Sequence, residues 1–192
     1  MYNQNENQTN YQPDYSKMTI REEIEDRFKR LNMQQNQTPM PVDMEFDGQN
    51  LSWVNDNSYI KPYSATSGRN GYNCRDQQNI QNKGPIPEGI WYAKQDQYQN
   101  RDNLSNLQKI INPIGFGAWP GGESAWGNHR VWLQPAVGTN TYQRTGFSIH
   151  GGKTPGSAGC IDLTNDMDRF ANDFKNYNKD VRIRVKYPKD CW

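Results

Sequence analysis

The hydrophobic residues of this 192-residue chain fall into short runs that have the length of a β-strand rather than of a helix. Between about residues 44 and 145, these runs are separated by Gly, Pro and Asn, which favour turns. Clear examples are residues 51–53, 90–93 and 131–133, and Gly-Pro-Ile-Pro-Glu-Gly at 84–89 predicts a rigid turn that leads into a strand. The pattern predicts a mostly β domain of the β-dominated α+β class.

The spacing of the apolar residues changes after Leu163, from that of strands to that of a helix. Thr164 is the expected N-cap, and Asp166 and Asp168 lie in the first turn, where the helix dipole favours negative charge. Five apolar residues then share one helical face: Met167, Phe170, Ala171, Phe174 and Tyr177. Over 181–187, apolar and basic residues alternate, which predicts a half-buried strand. We expect this helix and strand to hold the preceding loop against the sheet.

Residues 1–43 form a distinct polar N-terminal segment, since 12 of the first 40 residues are Asn or Gln. Such a tract buries too little apolar surface to fold by itself. One amphipathic helix is predicted over about 19–33, because Thr19 and Glu22 form a capping box and four apolar residues share a face: Ile20, Ile24, Phe28 and Leu31. This helix either packs on the main domain or serves as a handle for a delivery partner or chaperone. The remaining residues, 44–192, are predicted to form one domain.

The charge and the hydrophobicity of the chain argue against two classes of function. With 22 basic and 21 acidic residues, the formal net charge is +1, which gives no basis for binding nucleic acid. No apolar run approaches the roughly 18 residues that cross a membrane, so no membrane span is expected. The N-terminus lacks the basic and apolar regions of a secretory signal, so we expect synthesis in the cytoplasm without a signal peptide.

The cysteine and histidine content argues against a metal site. Three cysteines, none of them in a Cys-x-x-Cys pair, and two histidines do not supply the ligand spacing of structural zinc. We therefore expect neither a metal nor a cofactor. Cys74 and Cys191 either pair in an oxidising compartment or remain unpaired, and the sequence leaves both alternatives open.

The third cysteine, Cys160, and His150 carry the chemistry that this sequence suggests. A strand-like run at 146–150 ends in His150, and a loop rich in Gly, Pro and Ser then leads to Cys160. A neighbouring imidazole can take the proton of a thiol and make it nucleophilic. Gly151 permits close approach of the backbone, and Gly159 permits a turn that aims the N–H groups of residues 159 and 160 at a developing oxyanion. The segment predicts a cysteine nucleophile with a histidine base.

His150-Gly151 and Ser157-Ala158-Gly159-Cys160 together resemble the catalytic signature of the L,D-transpeptidase (YkuD-like) family, which is His-Gly followed by Ser/Thr-His-Gly-Cys. The shorter spacer, and Ala158 in place of the second histidine, are similar to a divergent branch, the type VI secretion L,D-transpeptidase effectors. That branch reads His-Gly-Gly-x-x-Pro-Gly-Ser-x-Gly-Cys-Ile-Asp-Leu. The resemblance covers roughly residues 44–188 and includes shorter matches at 63–64, 67–68, 84–89, 126–127 and 130–131.

The resemblance implies a β-sandwich or barrel with a helix after the catalytic cysteine, and peptidoglycan stem peptides as the substrate. Cys160 would attack the tetrapeptide carbonyl between the diamino acid and the terminal D-alanine, with His150 as base and then as acid. Ser157 would order the loop or the oxyanion site. Water would complete an L,D-carboxypeptidase reaction, a D-amino acid would complete an exchange, and a second stem would give a crosslink. The resemblance leaves open which of the three dominates.

The resemblance and the aromatic residues also suggest a set of substrate-binding residues: Tyr63, Ser64, Trp126, His129, Gly152 and Asp162. For Asp162, contact with the substrate and a role as a local cap are both open. Near His129, tryptophans at 119, 126 and 132 either wall the substrate cleft or pack in the core, and packing is expected for two of them. His129 is expected to be structural rather than catalytic.

The effector branch further implies an antibacterial toxin that a type VI secretion system delivers into the periplasm of competitors. Besides peptidoglycan, its expected partners are a periplasmic immunity protein and a delivery subunit of the secretion system. One alternative is another cell-wall cysteine hydrolase, such as an endopeptidase, an amidase or a phage lysin, although the common cell-wall peptidases place Cys before His. A second alternative is a non-catalytic cell-wall-binding module.

Overall fold

The computed structural model describes residues 18–36, 41–54, 61–114, 117 and 119–189. The chain divides into two units, Met1–Met40 and Pro41–Trp192. Most of the polar Asn- and Gln-rich tract, as well as Cys191, lies outside the described residues. No helix in the described part of the chain has the length and apolar character needed to cross a membrane.

Helix α1, Ile20–Asn36, belongs to the first unit and begins at the capping box that the sequence predicts. The Thr19 hydroxyl accepts a hydrogen bond from the Glu22 backbone N–H at 3.4 Å, and the Glu22 carboxylate accepts one from the Thr19 N–H at 2.8 Å. Such bonds satisfy N–H groups that have no partner within the helix. The helix continues a few residues beyond the range of 19–33 expected from the sequence.

The second unit is built on one eight-stranded sheet. In chain order, its strands are β1 Met44–Phe46, β2 Asn50–Trp53, β3 Tyr63–Ser64, β4 Gly89–Asn100, β5 His129–Pro135, β6 Ser148–His150, β7 Ile161–Asp162 and β8 Val181–Val185. Their order in the sheet is β3-β2-β1-β8-β4-β5-β6-β7. The pairs β1–β8 and β6–β7 are parallel, and the other pairs are antiparallel.

The helices of this unit are short. They are α2 Asn106–Ile111, α3 Gly122–Trp126 and α4 Met167–Tyr177. Single 3₁₀ turns lie at Arg75–Gln77, Arg101–Asn103, Asn112–Ile114 and Thr164–Asp166. The sheet therefore dominates, and the predicted β-dominated α+β class is confirmed.

The sheet curls into a half-barrel, and its two edges meet at a bridge. Thr66, just after β3, and Asp162, in β7, each donate a backbone N–H to the carbonyl of the other, at 2.9 and 2.8 Å. Beyond this bridge, the Gly68 N–H donates to the Ser157 carbonyl at 2.9 Å. The segment after β3 therefore lies beside the loop that joins β6 to β7.

Helix α4 buries four of the five apolar residues that are predicted to share its face, whereas Tyr177 is 37% exposed. Four of its side chains are no more than 2% exposed and join the core of the sheet: Met167, Phe170, Ala171 and Phe174. Along β8, buried residues alternate with half-buried ones, as expected for a strand with one wet face. The helix and the half-buried strand that the sequence predicts after the cysteine loop are therefore both present, as α4 and β8.

The start of α4 differs from the expectation, because Thr164 does not cap it. Thr164–Asp166 form a 3₁₀ turn, and Asp166 is the N-cap residue. The Thr164 N–H is occupied by the Asp162 carboxylate at 2.9 Å, and the Asp166 carboxylate accepts the Ser64 N–H at 2.7 Å. The Asp166 side chain therefore bonds to β3 rather than to the first turn of α4, which has no side-chain cap, and the sequence alone does not show this contact.

Candidate active site

Cys160 and His150 are positioned by two neighbouring parallel strands, β6 and β7. His150 is the last residue of β6, and Cys160 immediately precedes β7. Because Ile149 pairs with Ile161, the register sets Cys160 beside Ser148, and Ser148 shares a face of β6 with His150. The Ser148 hydroxyl donates a hydrogen bond to Cys160 Sγ at 3.3 Å. Cys160, His150 and Ser148 are all buried, with at most 3% of each exposed.

The imidazole of His150 is held in the tautomer that a base requires. Its Nδ1 lies 2.5 Å from the Gly151 carbonyl oxygen, and Nδ1 donates because a carbonyl only accepts. The neutral ring then has its lone pair on Nε2, which is buried and makes no hydrogen bond of good geometry within the described residues. Burial by itself would lower the pKa of His150, but Cys160 and Asp162 raise this pKa above its ordinary value.

The surroundings of Cys160 favour the charged form of its thiol. Burial would raise the pKa of Cys160, but His150 and Ser148 lower it below the ordinary value. Together with the raised pKa of His150, this shift favours a thiolate beside an imidazolium, the reactive form of a cysteine nucleophile. Sequence reasoning did not single out Ser148. The signal that identifies it is its place two residues before the histidine, on the same face of a strand.

Removing the Ser148 hydroxyl should make Cys160 less reactive. We expect Ser148→Ala to slow alkylation of Cys160 by iodoacetamide at pH 7 about tenfold, because a hydrogen bond to a charged group contributes ~1.5 kcal/mol or more. Intact-protein mass spectrometry over time measures the rate. Ser124→Ala is the matched control, since Ser124 lines the cavity described below without bonding to the thiol. Equal rates in the two variants would show that Ser148 does not stabilise the thiolate.

Asp162 ties the cysteine loop to the strand that follows it. Its carboxylate accepts the Gly156 N–H at 3.1 Å and the Thr164 N–H at 2.9 Å, and the residue is 2% exposed. Burial raises the pKa of Asp162, although His150 and the two N–H donors act to lower it. These contacts are those of a local cap.

The turn before Cys160 rests on a buried arginine. Gly159 has a φ of +92°, and a Cβ there would lie 2.6 Å from Nη2 of Arg144 and 2.9 Å from the Phe147 ring. The Arg144 guanidinium in turn donates to three main-chain carbonyls at 2.5–2.7 Å: those of Gln78, Gly84 and Pro85. Arg144 therefore links the cysteine loop to the turn that leads into β4.

A cavity of about 440 Å³ includes His150 in its wall. Its lining residues come from the segments 120–126 and 154–158, together with Arg69, His150 and Asp162. Four of the residues predicted from the sequence line it: Trp126, His150, Ser157 and Asp162. Arg69 was not predicted, because it reaches the cavity through contacts between the two edges of the sheet, which lie far apart in the sequence.

Four predicted substrate-binding residues do not line this cavity: Tyr63, Ser64, His129 and Gly152. Tyr63 is fully buried, and its hydroxyl donates to the Asp173 carboxylate at 2.5 Å. His129 places Nδ1 2.7 Å from the Tyr98 hydroxyl. Gly151 and Gly152 both lie in the loop after His150, where they approach the backbone carbonyls of residues 164 and 125 respectively.

A buried arginine and three tryptophans lie next to His150. Arg130 pairs with His150 across β5 and β6. Its guanidinium carbon lies 4.2–4.7 Å from the ring centroids of Trp119, Trp126 and Trp132, and the Trp126 ring lies 4.9 Å from that of His150. Burial lowers the pKa of Arg130 to about 10, so the group remains a cation at neutral pH. Trp119 is buried, whereas Trp126 and Trp132 are half-buried.

Cys74 differs from Cys160 in its chemical state. Cys74 is disulfide-bonded, whereas Cys160 is a free, buried thiol. Of the two alternatives that the sequence left for Cys74, the structure therefore contains the paired one. Among the residues that the structure describes, no group of three His, Cys, Asp or Glu side chains is placed to hold a metal ion.

A comparison with models of protein families identifies the family of this chain. The family model described as the Tlde1 domain matches residues 61–187. The chain belongs to the Tlde1 domain family. This is the branch of type VI secretion effectors to which the motif around Cys160 pointed. The Tlde1 match includes all the predicted site residues, from Tyr63 to Asp162, while β1 and β2 precede it.

Comparisons with curated proteins and with solved structures give less information about this chain than the family model does. No curated protein matches the sequence. The solved structure of Bdellovibrio bacteriovorus Bd1075 is similar to this Tlde1 protein with a TM-score of 0.46 and 18% sequence identity, over 75% of this chain and 47% of that one. This chain therefore spans about half the length of that protein.

Gly159→Ala should destabilise the Tlde1 domain more than Gly138→Ala. Both glycines have a φ near +90°, so both variants carry the cost of an L-residue in this conformation. Only position 159 is crowded, since a Cβ at Gly138 would meet nothing within 4 Å. We expect the free energy of unfolding in urea to fall by about 1–3 kcal/mol more in Gly159→Ala. Equal losses of unfolding free energy in the two variants would show that the Arg144 side chain moves away from the new Cβ without destabilising the domain.

Proposed function

We propose that this Tlde1 protein is a cysteine-dependent enzyme that modifies peptidoglycan at tetrapeptide stems, through an acyl-enzyme on Cys160. The observation that carries the proposal is the placement of two buried residues on neighbouring strands: His150 ends β6, and Cys160 immediately precedes β7. The cavity that His150 lines has the volume of a site for a short peptide, although Cys160, which is 3% exposed, is not among its lining residues. The L,D-transpeptidase-like motif around the pair supplies the substrate class.

The first half of the proposed reaction forms a thioester. The Cys160 thiolate attacks the carbonyl carbon between the diamino acid and the terminal D-alanine, and a C–S bond forms. The N–H groups of Gly159 and Cys160 are the proposed donors to the resulting oxyanion. When the C–N bond breaks, the imidazolium of His150 gives its proton to the amine of the departing D-alanine.

The second half releases the acyl group. His150, now neutral, takes a proton from the acceptor at Nε2, while Nδ1 stays bonded to the Gly151 carbonyl. Water as acceptor gives a tripeptide stem, and the amine of a D-amino acid gives an exchanged stem. The thiolate leaves as the C–S bond breaks, which restores the starting pair.

A panel of stem peptides tests this assignment. Stems of three, four and five residues, a disaccharide-tetrapeptide and a crosslinked dimer are incubated with the protein, and the products are separated by chromatography. The proposal expects loss of D-alanine from the tetrapeptide stem. Release of the stem from the sugar would indicate an amidase, and cleavage of the dimer with the tetrapeptide intact would indicate an endopeptidase. Binding without any product would indicate a cell-wall-binding module.

We further propose that the protein is an antibacterial effector, which a type VI secretion system delivers into the periplasm of competitors. The effector branch supports this proposal, and it implies an immunity protein in the periplasm of the producer. The test is to express the chain in a Gram-negative host with and without a periplasmic signal peptide. Wild type and Cys160→Ala are each expressed with and without the signal peptide, which gives four strains. Growth should fail only in the strain that exports the wild type. Equal growth of all four strains would contradict the proposal.

A further inference from the structure

We propose that Arg69 forms a carboxylate-binding subsite in the cavity beside His150, which holds a free carboxylate of the stem peptide. The inference rests on the proposed function and adds a determinant of substrate choice to it. Arg69 is both exposed to solvent and one of the residues that line the cavity.

The backbone at Arg69 is fixed by contacts on both sides. The Arg69 N–H donates to the Lys83 carbonyl at 2.8 Å, and the Arg69 carbonyl accepts the Tyr72 N–H at 2.7 Å. One residue earlier, the Gly68 N–H donates to the Ser157 carbonyl, three residues before the nucleophile. These bonds fix the position of the Arg69 backbone beside the loop that leads to Cys160.

Among the residues that line the cavity, Arg69 is the cation available to a ligand. The other ionisable lining residues are His150, which is coupled to Cys160, and Asp162, whose carboxylate accepts two backbone N–H groups. The structure records no hydrogen bond or ion pair between the Arg69 guanidinium and any residue it describes. A guanidinium with free N–H groups pairs with a carboxylate through two parallel hydrogen bonds.

A tetrapeptide stem offers carboxylates to such a cation. One is the C-terminal carboxylate of the D-alanine that leaves, and a diamino acid with a side-chain carboxyl group supplies another. Arg69 and His150 line the same cavity, and the proposal places one of these carboxylates at Arg69 when the scissile carbonyl is at Cys160. The subsite therefore favours stems with free carboxylates over stems in which they are amidated or crosslinked.

Binding to an inactive protein tests the subsite apart from turnover. Calorimetry on Cys160→Ala measures the Kd of three tetrapeptides: the free acid, the C-terminal amide and the side-chain amide. In Cys160→Ala/Arg69→Gln, we expect the free acid to bind about tenfold more weakly. Lysine at position 69 should restore part of the loss. The control is Arg75→Gln in the same background, because Arg75 is an exposed cation outside the cavity.

The amides show which carboxylate Arg69 holds. The amide of the contacted carboxylate should bind equally to the proteins with and without Arg69, while the other amide should still bind more tightly when Arg69 is present. A free acid that binds as tightly to Arg69→Gln as to its parent would overturn the subsite. Failure of every protein to bind any of the three peptides would instead overturn the tetrapeptide substrate of the proposed function, and the subsite with it.

Discussion

Cys160→Ala should abolish release of D-alanine from tetrapeptide stems, with a loss of about 10⁴-fold or more, since no other nucleophile replaces the thiolate. Cys160→Ser should also remain nearly inactive. A serine hydroxyl ionises far less readily than a thiol. His150 lowers the pKa of the Cys160 thiol enough to favour the thiolate, and the same shift leaves a serine hydroxyl protonated. The measurement is chromatographic analysis of tetrapeptide digests over time.

The loss has to be separated from misfolding, because Cys160 is buried beside Ser148. Alanine removes one small side chain there, and the Gly156 N–H of the loop stays bonded to the Asp162 carboxylate. We therefore expect the urea midpoint of Cys160→Ala to fall no further below that of the wild type than the midpoint of Gly138→Ala does. Turnover that persists in a folded Cys160→Ala protein would rule out the acyl-enzyme mechanism.

His150→Gln should reduce turnover by roughly 100-fold or more and should shift the pH dependence of thiol alkylation. In the wild type, His150 lowers the pKa of Cys160, so alkylation by iodoacetamide should reach half its maximum below pH 9.0, the ordinary thiol value. Loss of the imidazolium raises that midpoint. At neutral pH a smaller fraction of the thiol is then ionised, and alkylation slows.

The two readouts distinguish a base from a merely structural histidine. Above the new midpoint, alkylation of His150→Gln should recover to the wild-type rate because the thiolate is again present. Turnover should stay low, because glutamine cannot give a proton to the departing amine. If high pH restored turnover as well as alkylation, the imidazole would serve only to ionise Cys160. An unshifted midpoint would contradict the ion pair itself.

The elements that the sequence predicted well are those set by local patterns. The strands around 90–93 and 131–133, the apolar face of α4 and the alternation along β8 all follow from the spacing of hydrophobic residues. The placement of His150 and Cys160 at neighbouring strands also follows from the sequence, since only a short loop separates them.

Contacts between distant parts of the chain were not predictable in this way. Thr66 meets Asp162 across the two edges of the curled sheet, and this bridge, together with the bond from the Gly68 N–H to the Ser157 carbonyl, brings the segment of Arg69 to the cavity. The same applies to Arg144, whose partners lie some 60 residues earlier in the chain. Nothing in the sequence around these arginines marks them, because their roles depend on sheet closure.

The acyl-enzyme itself is the central claim, and its partition between two acceptors tests it most directly. Purified tetrapeptide muropeptide is incubated with wild type or Cys160→Ala, with and without D-methionine, and the products are identified by mass spectrometry. The account predicts D-alanine loss with wild type alone, and a product in which D-methionine replaces D-alanine when the amino acid is added. Loss of D-alanine with no D-methionine product at any concentration would contradict an exchangeable acyl-enzyme. The same loss with Cys160→Ala would contradict the role of the cysteine.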